Sequence, residues 1–145
     1  MSTRSRIAVK LNDNEFKSVY CHHDGYLSWN GRILLNHYNT KEKALALIEL
    51  GDLSSLHESI ECPEGHSFIK PVEGYTVAYG RDRGETGCNA VTDCSVNELL
   101  KTGNDSDAEY IYLFDVKENK WYWWASDYHG KQWFELTEES VKESE

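Results

Sequence analysis

Residues 109–126, EYIYLFDVKENKWYWWAS, contain two aromatic-rich segments separated by a short polar turn. Segments 109–115 and 120–126 place apolar or aromatic residues on both faces of a strand, and Lys117, Glu118 and Asn119 lie between them. Strands of this composition lie in the middle of a sheet, or carry an aromatic face that meets a partner. The stretch predicts the strongest hairpin of a sheet-containing domain.

A second hairpin is predicted at the amino-terminal end. Residues 5–11 alternate, with Ile7 and Val9 on one face and Arg6 and Ala8 on the other, which is typical of a strand with one buried face. Asn12, Asp13 and Asn14 have turn chemistry, and residues 16–21 form the expected partner strand.

Helix signals occur at three places between the two hairpins. Residues 29–38 have apolar side chains at helical spacing, and Thr40 is a typical N-cap for a helix over 41–50 that ends before Gly51. Ser95 and Glu98 form a capping-box pattern, which predicts a third helix that ends at residues 103–105.

Together these segments predict an α+β fold with a mainly antiparallel sheet of about five to six strands and two or three short helices. The remaining expected strands are 75–79 and 132–136, and residues 52–73 are expected to be mostly loop. We expect a single domain over residues 1–136, followed by an acidic tail, residues 137–145, that frays.

The charge of the chain restricts its partners. Among 145 residues, 25 are Asp or Glu and 15 are Lys or Arg, which gives a net charge of −10. A phosphate backbone or an anionic membrane needs a basic surface, so direct nucleic-acid binding and membrane docking are disfavoured. A local basic pocket, imitation of nucleic acid toward a basic protein, or solubility alone all remain open.

Neither a signal peptide nor a run of about 20 apolar residues occurs in the sequence, so we expect a cytoplasmic protein. In that compartment Cys21, Cys62, Cys88 and Cys94 are expected to be free thiols. No cofactor motif is present, and a homo-oligomer is left open.

The first candidate site is a polar cluster near the strand ends. Arg4 and Arg6 are two residues apart on a strand and therefore project from the same face. Guanidinium groups suit phosphate or carboxylate oxygens, so the cluster predicts an anion or nucleotide site. The alternative is that arginine–aspartate pairs only hold loops together, for example Arg81 or Arg83 with Asp24. The predicted ligand-binding residues are Arg4, Arg6, His22, Asp24, Tyr26, Arg81, Arg83 and Glu85.

Metal binding and catalysis are weaker interpretations. The set Cys21, His23, Cys62 and His66 has the residue types of a zinc site but loose spacing, so no metal is predicted. His22 and Asp24 have the residue types of a base and its orienting carboxylate, yet the chain lacks nucleophile-elbow, P-loop and Rossmann motifs. A non-enzyme is therefore the preferred interpretation, and a phosphoesterase-type enzyme is the third hypothesis.

The aromatic strip of the carboxyl-terminal half is the other candidate site. Most of it is expected to be core, but the run WYWW over 121–124 must place aromatic rings on both faces of its strand. An exposed half, flanked by acids, would bind a protein. The predicted partner-binding residues are Tyr122, Trp124 and Trp133, and the strip also includes Tyr128.

Four stretches carry a family resemblance: TRSRIA at 3–8, YCHHDGYLSWNGRILLNHYNT at 20–40, LIELGDLSSL at 47–56 and VAYGRDRGET at 77–86. Together they resemble a family of small, mostly uncharacterised bacteriophage and prophage proteins with motifs of the type TRSxIA, YxHWDGYP and YxRDRGE. The resemblance covers about the first 87 residues. His23 stands where the family has Trp, and Leu27 stands where it has Pro. The residues that fit the pattern are His22, Asp24, Gly25, Tyr26, Gly31, Arg81, Asp82, Arg83, Gly84 and Glu85.

The resemblance implies a phage protein that acts in the host cell. The leading expectation is a non-enzymatic counter-defence or host-takeover protein that neutralises a host factor by sequestering a small anionic, nucleotide-type ligand in an arginine–histidine pocket. The alternative is an acidic, aromatic-faced inhibitor that imitates nucleic acid and binds a host nucleic-acid-binding or defence protein.

Overall fold

The computed structural model describes residues 3–126 and 132–143, which form one mixed sheet with helices against both faces. The strands are β1 (Ser5–Asn12), β2 (Glu15–Cys21), β3 (Leu53–Ser55), β4 (Val77–Ala78), β5 (Val91–Asp93), β6 (Tyr110–Asp115), β7 (Lys120–Ala125) and β8 (Phe134–Glu135). The helices are a π-helical segment (Leu27–Gly31), α1 (Arg32–His37), α2 (Lys41–Glu49), α3 (Tyr79–Arg83), α4 (Val96–Asp105) and α5 (Glu138–Glu143). The α+β class is confirmed, although the described sheet has eight strands rather than five or six.

The strand order is β4-β3-β2-β1-β6-β7-β8, and β5 also pairs with β2. The two predicted hairpins, β1–β2 and β6–β7, are antiparallel, and they are joined by parallel pairing of β1 with β6. The predicted hairpins therefore form the middle of the sheet, and the short strands form its edges.

Strand β1 is buried on both faces, so the prediction of one buried face is wrong. Ile7 and Val9 pack in the larger core with α1, α2 and α5, whereas Ala8 packs on the opposite face with Leu99 of α4. Helix α4 packs over the second face. Because α4 lies far from β1 in the sequence, the alternation within β1 does not indicate this packing.

The helix caps follow the sequence. The Thr40 hydroxyl accepts the Lys43 N–H at 3.2 Å, and the Ser95 hydroxyl accepts the Glu98 N–H at 3.2 Å. Helix α4 ends at Asp105, within the predicted range of 103–105. Gly103 lies inside it because a Cβ there would come within 2.5 Å of Ile111, so the residue permits close packing.

The carboxyl-terminal segment is ordered over most of its length. Helix α5 covers Glu138–Glu143 and Val141 is buried in the larger core, so the expectation that this tail frays is wrong for these residues. The predicted strand over 132–136 is reduced to β8. Tyr128 and the last two residues of the tail lie outside the described residues.

Helix α4, with ten residues, is the longest of these helices. In the part of the chain that the structure describes, no helix has the length and apolar character needed to cross a membrane.

Candidate functional site

Arg4, Tyr20 and His22 form a connected chain of side chains on the α4 face of the sheet. Tyr20 is directly opposite Arg6 in the β1–β2 pairing, and the phenol oxygen of Tyr20 lies 2.6 Å from Nδ1 of His22. The Arg4 guanidinium lies near the same phenol, where its charge favours a lower pKa of Tyr20. We call Arg4, Tyr20, His22 and the neighbouring Tyr79 the Arg4–His22 patch.

The protonation of this chain follows from its contacts. Burial and the nearby charges of His23 and Arg4 lower the pKa of His22, so its imidazole is neutral at pH 7. Burial raises the pKa of Tyr20, against the opposing effect of Arg4, so the phenol keeps its proton. A neutral imidazole carries one ring proton, so His22 has an N–H donor in either tautomer, on Nε2 when the phenol donates to Nδ1. The patch therefore offers N–H donors.

Asp52 fixes the position of both tyrosines. Its carboxylate accepts the Tyr20 N–H at 2.9 Å, its carbonyl accepts the Tyr79 N–H at 3.1 Å, and its own N–H donates to the Cys88 carbonyl at 2.7 Å. Burial raises the pKa of Asp52, whereas the Tyr20 N–H and the charge of Arg6 oppose this shift. Asp52 thus supports the patch from the edge of β2.

Arg83 and Glu85 flank the patch on the side of α3. The Phe68 ring lies 5.6 Å from the Tyr79 ring, and the Arg83 guanidinium carbon lies 4.6 Å from the Phe68 centroid. Arg83 also pairs with Glu85 at 3.6 Å. Burial raises the pKa of Tyr79; the charge of Glu85 adds to this effect and the charge of Arg83 opposes it. Four predicted site residues, Arg4, His22, Arg83 and Glu85, therefore lie in or beside the patch.

Arg6 is not available to a ligand, which corrects its assignment as a binding residue. It is 4% exposed, and its guanidinium donates to the Ser18 hydroxyl at 2.9 Å and to the Ser18 carbonyl at 3.1 Å. Burial lowers the pKa of Arg6, and the charges of Asp52 and Asp93 oppose this effect. Arg6 holds β1 to β2 beneath the patch.

Arg81 is also a structural residue. Its guanidinium donates to the carbonyls of Thr76, at 3.0 Å, and of Ile60, and to the carboxylate of Asp82 at 2.9 Å. Its donors are thus engaged within the chain, in agreement with the alternative that arginine–aspartate pairs hold loops together. The partner is Asp82, however, rather than the predicted Asp24.

Asp24 and Tyr26 bind each other rather than the arginines. Asp24 has a φ of 56°, and its carboxylate accepts the Tyr26 hydroxyl at 3.2 Å. The following Gly25 lies so close to β1 that a Cβ would come within 2.8 Å of Ser5, and its carbonyl accepts the Tyr112 hydroxyl at 2.6 Å. This motif therefore fixes a turn against the sheet.

The predicted partner-binding residues separate into buried and partly exposed ones. Trp124 is 5% exposed and packs with Leu99 and Ile111 in the smaller core, which corrects its assignment as a partner contact. Tyr122 and Trp133 are partly exposed, and the Tyr122 hydroxyl donates to the Glu118 carboxylate. Their role in binding a partner stays a prediction.

The cysteine and histidine residues that the structure describes do not assemble a zinc site. Cys21, Cys62, Cys88 and Cys94 are free, and burial raises the pKa of Cys21 to about 12, so this thiol is protonated and a poor metal ligand. Within residues 3–126 and 132–143, no group of three His, Cys, Asp or Glu side chains is arranged to hold a metal ion.

Sequence reasoning missed Tyr20, Asp52 and Tyr79. Tyr20 could have been found, because it is two residues from His22 on the same strand and must share its face. Asp52 and Tyr79 meet Tyr20 only through the sheet topology, which no local pattern indicates. In comparisons with known proteins, no family model, no curated protein and no solved structure matches the chain.

Proposed function

We propose that the chain is a non-enzymatic binding protein that takes a small anionic ligand of the nucleotide type on the Arg4–His22 patch. The observation that carries the proposal is the chain of contacts from Arg4 through the phenol of Tyr20 to Nδ1 of His22, 2.6 Å away. This chain leaves a guanidinium and an imidazole N–H as donors, the groups that suit phosphate oxygens.

Arg4 is paired with a carboxylate of the chain that a ligand could replace. Arg4 pairs with Asp107 at 3.6 Å, and their side chains are 43% and 79% exposed. An ion pair this exposed contributes about 0–1 kcal/mol, so a phosphate group can displace Asp107 at small cost. Arg83, with a side chain 51% exposed, supplies a second cation beside Tyr79 and Phe68. Aromatic rings next to cations suit a nucleobase that is joined to phosphate.

Ligand-induced stabilisation tests the proposal. We expect nucleotides to raise the melting temperature of the wild-type chain, and Arg4→Gln together with His22→Asn to abolish the rise. Asp107→Asn should strengthen binding, because it removes the competing carboxylate. Lys41→Gln, which removes one exposed cation elsewhere, is the charge-matched control for Arg4→Gln. No rise with any nucleotide or with pyrophosphate would refute the proposal.

An enzyme would be distinguished by the fate of the ligand. A binding protein returns the nucleotide unchanged after denaturation, whereas the phosphoesterase alternative predicts a cleaved product. The nucleic-acid-mimic alternative predicts instead a host-protein complex that weakens steeply with salt and does not depend on Arg4 or His22. A counter-defence role would follow from either kind of binding, and it rests on the family resemblance.

A further inference from the structure

A groove lies on the face of the sheet that α1, α2 and α5 cover, opposite the face that carries the Arg4–His22 patch. It has a volume of about 430 Å³ and runs between helices α1 and α2 on one side and residues 58–61 on the other. Its floor includes the buried Tyr38 and the partly exposed Ala46 and Ile60. A volume of this size lies within the range of ligand sites in proteins.

Both walls of the groove carry carboxylates. Glu42 lies on α2, Glu58 and Glu61 lie on the facing segment, and all three side chains are exposed. Lys43 and His37 are the two basic side chains of its lining. A cationic side chain in the groove would therefore have a carboxylate on either side.

The acidic excess distinguishes this groove from other cavities of the protein. The cavity beside the β1–β2 turn is lined by Lys10 and Lys117 and by Asp13 and Asp115, so its charges balance. The cavity between α1 and α5 is lined by Arg32 and Lys142 against Glu138 alone.

The wall that carries Glu58 and Glu61 is fixed in place. The Ser59 N–H donates to the Gly74 carbonyl at 3.1 Å, and the Ser59 carbonyl accepts the Thr76 N–H at 2.8 Å. The Ile60 carbonyl accepts the Arg81 guanidinium, and the Tyr38 hydroxyl donates to the His57 carbonyl at 2.7 Å. A fixed wall lowers the entropic cost of binding.

We propose that this groove binds a lysine- and arginine-rich segment of a partner protein. The carboxylates on both walls complement its charges, and the apolar floor accommodates the aliphatic stems of Lys and Arg. The proposal is independent of the anion site, because the two surfaces share no residue and select opposite charges.

The test measures binding of a fluorescent peptide, Ac-ARKARKA-NH₂, to the full chain at low salt. We expect binding that weakens steeply as salt is raised. The triple variant Glu42→Gln, Glu58→Gln and Glu61→Gln should weaken it by about tenfold, because it removes every carboxylate that lines the groove. The control variant Glu49→Gln, Glu64→Gln and Glu109→Gln changes the net charge equally at exposed positions outside the groove.

An equal loss in the groove and control variants would overturn the proposal, because binding would then follow net charge alone. Spermidine that binds as tightly as the peptide would also overturn it, since the groove would then select a small polycation rather than a protein segment. Lys43→Glu gives an independent readout, because it should strengthen peptide binding. Circular dichroism and the melting temperature confirm that each variant is folded.

Discussion

The carboxylate of Asp82 lies 3.4 Å from Nε2 of His66, and both side chains are fully buried. Nδ1 of His66 accepts the Val72 N–H at 2.9 Å, so the proton of the neutral ring is on Nε2 and faces Asp82. The same carboxylate accepts the Ala78 N–H at 2.8 Å. This contact ties helix α3 to the long connection between β3 and β4.

Asp82→Ala should destabilise the fold by about 3 kcal/mol, because it leaves the buried Ala78 N–H without its acceptor and removes the carboxylate that pairs with Arg81 and lies against His66. Urea unfolding measures the change. Asp105→Ala removes an exposed carboxylate from α4 and should change the free energy of unfolding by less than about 0.5 kcal/mol. Equal effects of the two variants would show that the Asp82 contacts contribute nothing to stability.

Gly51→Ala should destabilise the chain more than Gly65→Ala. Both glycines have a positive φ, 78° and 85°, which costs an alanine about 1 kcal/mol. A Cβ on Gly51 would in addition come within 2.2 Å of the Cys88 carbonyl oxygen, whereas nothing lies within 4 Å of a Cβ on Gly65. Thermal and urea unfolding of the two variants isolate the steric part, and equal losses would contradict the packing of residue 51 against residue 88.

The two central hairpins and the helix caps could be predicted because their causes are local. Alternation in residues 5–11, a polar turn, and a Thr or Ser before an apolar run act within a few positions of the chain. The β1–β2 pairing and the Thr40 and Ser95 caps are accordingly found where they were predicted.

The candidate site could be predicted only in part, because its partners are distant in sequence. Charged residues such as Arg81 and Asp82 are typical of exposed segments, yet the Asp82 side chain is buried beside His66 and Arg81. Arg4 and His22 were found from their strand positions, but their link through Tyr20 and Asp52 depends on how β1, β2 and β3 pair. Contacts between charged side chains that are distant in sequence cannot be predicted from local patterns in one sequence.

His57 should make stability depend on pH. Burial lowers the pKa of His57 below its ordinary 6.5, although several carboxylates, Glu58 foremost, oppose the shift. The unfolded chain therefore binds the proton more readily, so this contribution to stability is present above about pH 6.5 and is lost as the pH falls below it. We expect the melting temperature to drop between about pH 7.5 and pH 5.5, with a smaller drop in His57→Gln. An unchanged slope in that variant would contradict the assignment.

Truncation of Trp124 should destabilise the fold far more than truncation of Tyr122, because the first is buried and the second is partly exposed. Trp124→Ala removes a buried indole from contact with Leu99 and Ile111 and should cost about 3–5 kcal/mol in urea unfolding. Tyr122→Ala removes a partly exposed ring and should cost about 1 kcal/mol or less. If an aromatic face does bind a partner, Tyr122→Ala should weaken that complex while leaving the fold intact. A small loss for Trp124→Ala would instead show that the smaller core does not depend on this indole.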